Sequence, residues 1–540
     1  MRTFGKVCRV FFRFPSNFPS FKFSGHPVPN LRRSALQVPY ECIYKLARRD
    51  LSVGRNLAGL DPLHSQASLL RALAGFQVLE AIAMLFNPRM GLHRDIQNMS
   101  GLESPRWLWE HDRWSQCEQS PPRVVVIGAG VMGLSTAWSL ARSGAQVVIC
   151  DGGHAEKGSW GESRIARVSY ADDVLVKLAQ RSYELYGELG KTSAEPLMCK
   201  TGCLDVGFKR ESLDKLAQTY DRLAQPYQRL NHHEVQQRWP MLQLSSEYVE
   251  ASVYCPLGDA VCAGVVLEAL KDQILRHGGP AAMVDDPVVQ IDRQRKTVTT
   301  ADGSVIPYSK LVVAAGIWTN RTLRKMSLPL LPLVTSIEQQ TYYSTPPGME
   351  DLYSSSHLPV IIEHNPPPQP QMKRRGGYMI PHLSNGVDGV KFGMHRQGPL
   401  LDNEDFPMAP GSTAASAKHF SCSATRGHDV WCSRWPEEED AHLRAETDAF
   451  CKRVLPGLDP SAPPALTMRC PYDQQLYADE DFVVGVHPAD PDVIVVGGFA
   501  GEGFKFGPAI GEMAACLVTG ASFKVPESYH RFRLNRKTLI

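Results

Sequence analysis

The chain has 540 residues, 43% hydrophobic and 21% charged, the balance of a globular protein with room for two or three packed domains. A formal net charge of +2 excludes a broad basic surface for nucleic acid and an acidic one for cationic partners, so any charge-based function is local. Thirteen cysteines without a Cys-x-x-Cys pair argue against a disulfide framework and for a reducing compartment.

In chain order, the first 40 residues carry Arg2, Lys6, Arg9, Arg13, Lys22, Arg32 and Arg33, with no acid before Glu41. That is transit-peptide composition, although a disordered extension or a misassigned start would read the same. An organelle, mitochondrion or peroxisome, is expected over the cytosol, even though Lys537-Thr538-Leu539-Ile540 is not a Ser-Lys-Leu type of address. Residues 41–119 show helical-looking pieces and no motif. Leu69–Phe86 is apolar but interrupted by Arg71, Gln77 and Glu80, short of a membrane span.

The pattern changes after Pro121-Pro122. Arg123 to Ile127 is a continuous apolar run of the kind found in buried parallel strands. The turn Gly128-Ala129-Gly130-Val131-Met132-Gly133 follows, then a helical stretch to Arg142 closed by Gly144. A second strand, Gln146 to Cys150, ends on Asp151. A GxGxxG is weak alone, but between a strand and a helix, with an acid at the next strand's end, it reads as a dinucleotide fingerprint. Gly128 permits the tight turn, Gly130 lets the backbone approach a pyrophosphate, and Gly133 lets the helix pack closely. Asp151 is placed to accept from the ribose hydroxyls, which favours FAD or NAD over a 2′-phosphorylated cofactor; the fingerprint does not choose between those two.

Two later strand-then-glycine units, Lys310 to Gly316 and Asp492 to Gly498, imply that the nucleotide domain is assembled from separated segments. We assign it 121–210, 301–325 and 466–540, with 211–300 shared and 326–465 forming a second domain. Residues 402–435, rich in Ser, Ala, Gly and Pro, read as an inserted loop.

Four further motifs follow in order: Gly158-Ser159-Trp160-Gly161-Glu162-Ser163-Arg164-Ile165-Ala166-Arg167, Gly389-Val390-Lys391-Phe392-Gly393-Met394-His395, Arg469-Cys470-Pro471-Tyr472 and Gly498 to Phe506. With the glycine turn, they resemble the monomeric sarcosine oxidase and pipecolate oxidase family from about Arg123 to the C-terminus. The resemblance implies an α/β fold: a discontinuous Rossmann-type FAD-binding domain covered by a substrate domain on a mixed or antiparallel sheet. It implies that a secondary amino acid (sarcosine, another N-methyl amino acid, or a cyclic imino acid such as pipecolate) is oxidised to an imine while oxygen becomes hydrogen peroxide. A dehydrogenase using another acceptor and a catalytically silent flavin-binding protein are the competing readings. The expected partners are a small-molecule substrate and oxygen, with no metal, nucleic acid or membrane, and the chain is expected to be a monomer.

Position by position, Cys470 matches the cysteine that in this family forms a thioether to the flavin, so the FAD is expected to be covalent. Arg167 and Lys505 match the pair that holds the substrate carboxylate, and Arg164 the arginine beside the flavin ring. Lys391 resembles the lysine that promotes reaction of the reduced flavin with oxygen. His395 and Tyr378 match polar positions near the substrate pocket. Ser163, Gly316, Trp318, Gly501, Gly503 and Phe504 are placed against the cofactor. Read by themselves, Lys391 fits an exposed strand, Lys505 a surface lysine, and Arg167 a salt bridge to Asp172 or Asp173. Two positions depart from the family: Trp160 and Glu502 stand where histidines are common, which puts the substrate in question.

Overall fold

The computed structural model describes residues 123–153, 158–244, 248, 251–279, 282–364, 376–384, 386–395, 398–401, 439–475 and 481–536. The basic N-terminal segment, residues 41–119 and the 402–435 loop lie outside them.

The first half of the chain supplies β1 (Arg123–Ile127), α1 (Val131–Arg142), β2 (Gln146–Cys150), β3 (Ser163–Arg167), α2 (Asp173–Gly190) and β4 (Cys203–Gly207). It continues with β5 (Ala251–Cys255), β6 (Gly258–Cys262), α3 (Ala263–Gly278) and β7 (Met283–Val284). Then come β8 (Lys310–Val313), β9 (Leu333–Tyr343), β10 (Val360–His364), β11 (Gly377–Ile380) and β12 (Val390–Met394). The last elements needed here are α4 (Ala441–Val454), β13 (Leu466–Gln475), β14 (Val483–His487), β15 (Asp490–Gly497) and α5 (Gly503–Thr519).

Six strands form the nucleotide sheet in the order β14-β15-β8-β1-β2-β7, parallel except for β14 against β15. Its centre is apolar because both faces are covered. Val124 and Val126 of β1 enter the core shared with α1 and α5, while Val125 and Ile127 enter a second core with Ile291, Val298 and Leu311. Strands from three distant stretches meet here, as the discontinuous reading requires.

The larger sheet is mixed. Its strands run β9-β12-β11-β10-β4-β5, flanked by the short strands Leu400–Leu401 and Gln228–Asn231, with β13 also paired to β9. Only β10 and β4 are parallel. Alternation along each strand gives this sheet two characters. Leu204, Ile361, Met379, Val390, Phe392 and Met394 fill a core with Phe450 of α4. Their neighbours in sequence face the other way, toward the nucleotide domain.

Two segment boundaries differ from the sequence reading. β13, expected in the nucleotide domain, is hydrogen-bonded along β9 from Leu466 to Gln475, and β4 likewise joins the larger sheet. Both mix polar with apolar residues, Arg469 and Asp473 in β13 and Asp205 in β4, and local pattern alone does not tell which sheet such a strand enters. No helix among the described residues is long and apolar enough to cross a membrane.

Candidate active site

The turn after β1 is a cradle made of backbone. Gly128 has φ +104°, and a Cβ there would lie 2.5 Å from the Ala314 carbonyl oxygen. A Cβ on Gly133 would come 1.8 Å from the Gly128 oxygen, so only glycine lets α1 seat against the turn. The Asp151 carboxylate accepts from the backbone N–H of Ala129 at 2.6 Å and of Gly153 at 2.8 Å. It thus ties the turn to the end of β2. Ser159 folds over the helix start, its Oγ accepting from Val131 N–H at 3.0 Å.

These groups line an elongated cavity. Gly128, Gly130 and Asp151 stand in its wall with Gly316 and Trp318 after β8, and with Gly501, Gly503 and Phe504 at the start of α5. Arg321 and Lys325 also line it, two cations the sequence reading missed because no motif holds them. An open helix N-terminus, a glycine turn and a buried acid at the next strand's end fit an adenine dinucleotide.

A second cavity continues from the first: Arg164, Tyr472, Gly501 and Phe504 line both. Its floor is the polar face of the larger sheet. Register pairs Gln340 with Gly393, Gly393 with Tyr378, Tyr378 with Ile362 and Ile362 with Asp205, making one row across five strands. Lys391 and His395 lie two residues to either side of Gly393 and share its face. Gly393 is small because the Tyr378 hydroxyl lies 2.5 Å from where its Cβ would be. Arg167 and Ser163 enter from β3, Glu502 and Lys505 from the start of α5. The structure therefore gathers Arg164, Arg167, Tyr378, Lys391, His395, Glu502 and Lys505 around one space.

The charges are arranged rather than scattered. The Arg167 guanidinium lies 4.4 Å from the Tyr170 ring centroid and the Lys505 ammonium 5.9 Å from it, so two cations flank one ring. Asp172 and Asp173 pair instead with Arg531 at 2.6 Å and Arg222 at 2.7 Å, which removes the salt bridges considered for Arg167. Burial opposes the Arg167 charge, but Tyr170, Glu502 and Asp205 more than offset it and hold its pKa above the usual value. Lys505 is 8% exposed and donates to the Glu502 carbonyl at 3.0 Å. The Glu502 carboxylate meets His395 Nε2 at 3.3 Å.

Lys391 is 1% exposed, its Nζ donating to the Ser163 carbonyl at 3.0 Å. Burial, then the Arg164 charge, push its pKa well below the ordinary lysine value. Burial likewise raises the Tyr378 hydroxyl. Gln340 Oε1 is buried in this wall without a hydrogen-bond partner, an acceptor open to a ligand N–H.

Three expected positions differ. Trp160 is 43% exposed and lines neither cavity. The chain turns at Gly161, φ +101°, so the Trp160 carbonyl and not its indole engages Arg164. Ser163, expected against the cofactor, lines the second cavity through its place on β3. Cys470 is buried on β13 with Sγ 3.8 Å from the Gly158 carbonyl; its neighbours Pro471 and Tyr472, not Cys470 itself, line the first cavity. Burial raises the Cys470 thiol pKa, against the Arg164 and Lys391 charges.

The family model described as FAD dependent oxidoreductase matches residues 123–517. The chain belongs to the FAD-dependent oxidoreductase family. Monomeric sarcosine oxidase of Bacillus sp. (strain B-0618) is 26% identical over 431 residues, 77% of this chain and 96% of that protein. N-methyl-L-tryptophan oxidase of Yersinia pestis (strain Pestoides F) is 26% identical over 406 residues, 73% and 93% of the two chains. Among solved structures, L-proline dehydrogenase from P. horikoshii shares the fold at TM-score 0.59 and 18% identity, over 76% of this chain and 96% of that one. Iminodiacetate oxidase from Chelativorans sp. BNC1 does so at TM-score 0.57 and 21% identity, over 76% and 98%. As a member of this family the chain binds FAD, and the glycine turn, helix start and buried acid of the first cavity fit such a cofactor.

Proposed function

We propose that the protein oxidises the C–N bond of a secondary amino acid to an imine, with oxygen as the electron acceptor and hydrogen peroxide as a product. The observation that carries this reading is the junction at Arg164, Tyr472, Gly501 and Phe504, where the dinucleotide cavity adjoins a space holding Arg167 and Lys505. The names of the relatives, oxidases of sarcosine and N-methyl-L-tryptophan, point to the same substrate class.

Arg167 presents a planar fork and Lys505 a compact ammonium, and together they anchor a carboxylate and fix which end of the substrate faces the junction. When bound, FAD supplies the two-electron acceptor for the carbon next to nitrogen. That carbon gives up its hydride equivalent only with the nitrogen lone pair free, so the ammonium must first lose a proton. Glu502 Oε1, backed by His395 Nε2, is an acceptor for it within the cavity. Gln340 Oε1 accepts the remaining amine N–H. Lys391, itself buried, holds its donors in the cavity wall, where a fixed cation stabilises oxygen as it becomes an anion. Cys470 is the residue that would attach the cofactor covalently, and the protein acts as a monomer, the state named for its sarcosine oxidase relative.

Peroxide release from a panel of sarcosine, L-pipecolate, L-proline and bulkier N-methyl amino acids tests the proposal. One or more is expected to be turned over. Turnover with an artificial electron acceptor but not with oxygen would replace the oxidase by a dehydrogenase.

A further inference from the structure

The wall of the second cavity contains a histidine that none of the roles above employs. His364 ends β10 and lines the cavity, and its Nε2 lies 2.7 Å from Oδ1 of Asp205. Asp205, in the middle of β4, is fully buried. Ile362 stands beside both Asp205 and Tyr378 in register, so His364, two residues on, projects from the same polar face. The other Asp205 oxygen is approached by Cys203 Sγ at 3.8 Å.

The contact orients the ring. A carboxylate accepts and does not donate, so in the neutral imidazole the proton sits on Nε2 and Nδ1 is left as an acceptor. No described residue takes that lone pair, and 26% of the side chain remains exposed. Burying the Asp205 carboxylate costs desolvation, which its attraction to the Arg167 charge offsets in part. Its hydrogen bond to Nε2 also holds the imidazole in one orientation toward whatever enters the cavity.

We infer that His364, oriented by Asp205, is a specificity-determining residue that accepts a hydrogen bond from a hydroxyl or N–H on the substrate's side chain or ring. The preferred substrate is then a secondary amino acid bearing such a donor, not the bare N-methyl compound. This rests on the amino acid reading of the same cavity.

Two inert acids separate the inference from that reading. The FAD-containing protein is titrated calorimetrically with butyrate and with each enantiomer of 3-hydroxybutyrate, whose carboxylates are alike and of which only the latter carries the donor. Wild type is expected to bind the better enantiomer about tenfold more tightly than butyrate. His364→Phe brings the ratio to within about twofold, while His364→Gln, which keeps an acceptor, retains part of the preference. Asp205→Asn, whose amide can donate to Nε2 and drive the ring proton to Nδ1, also lowers it. Equal affinities in wild type, or a preference that survives His364→Phe, overturns the inference and leaves the carboxylate site standing. Failure of all the acids to bind overturns the carboxylate site and the inference with it.

Discussion

The cradle around Gly128 and the polar face of the larger sheet adjoin, yet they are made of different material. The cradle is backbone: Gly128 and Gly133 are required because a Cβ would strike main-chain oxygens, and Asp151 grips main-chain N–H groups. The sheet face is side chains: Lys391 from β12 and His395 just past its end, Tyr378 from β11, with Arg167, Glu502 and Lys505 brought over them from other elements. A backbone cradle serves any adenine dinucleotide, so it says little about the reaction. The side-chain face says which bond is broken, and it can be altered one group at a time.

If that division is right, Gly133→Val has the largest effect. With the Gly128 oxygen 1.8 Å from the new Cβ, α1 cannot seat, and the protein is expected to be recovered without flavin absorbance or not at all. Retention of full flavin content would mean that the cradle is less backbone-bound than described. Next in size, Arg167→Ala and Lys505→Ala should each lower kcat/KM about 10² to 10³-fold, as expected for removing a buried charged anchor, with flavin content unchanged. Parallel loss of flavin would merge the two regions into one.

Smaller and more selective, Lys391→Met is expected to slow reoxidation by oxygen about 10²-fold in stopped flow and to change anaerobic reduction by no more than about threefold. The sign of its pH dependence follows from the lowered pKa. The protonated lysine is the active form, so reoxidation should fall as pH rises through a value below the ordinary lysine pKa of about 10.4. A rate flat across that range would remove Lys391 from the oxygen step. Cys470→Ser tests attachment: after acid denaturation the yellow colour should stay with wild-type protein and pass into solution from the variant. The smallest effect belongs to Trp160→Phe, which should leave kcat/KM within about twofold because an exposed side chain away from the cavities contributes little.

How much was legible follows the same division. The strand to Ile127, the turn, the strand to Cys150 and Asp151 are contiguous and carry local rules, so the sequence alone identifies them. The charged groups of the sheet face were found through motifs, each of which places one or two residues. The His364–Asp205 pair had no such signal: the partners are 159 residues apart and meet only because β10 lies parallel to β4. The motif around Cys470 is local, but its strand's allegiance is not, being set by ten residues of pairing with β9. Trp160 was misjudged because a single positive φ at Gly161 decides which part of it faces inward.

The most direct test of the central claim, that the joined cavities hold FAD against a carboxylate-anchored secondary amine, is anaerobic bleaching of the flavin absorbance. The holoenzyme is mixed without oxygen with secondary amino acids and with the matching amines that lack the carboxylate. The account predicts bleaching by at least one amino acid and little by its decarboxylated counterpart. No bleaching by any secondary amino acid, or equal bleaching by both members of a pair, would contradict it.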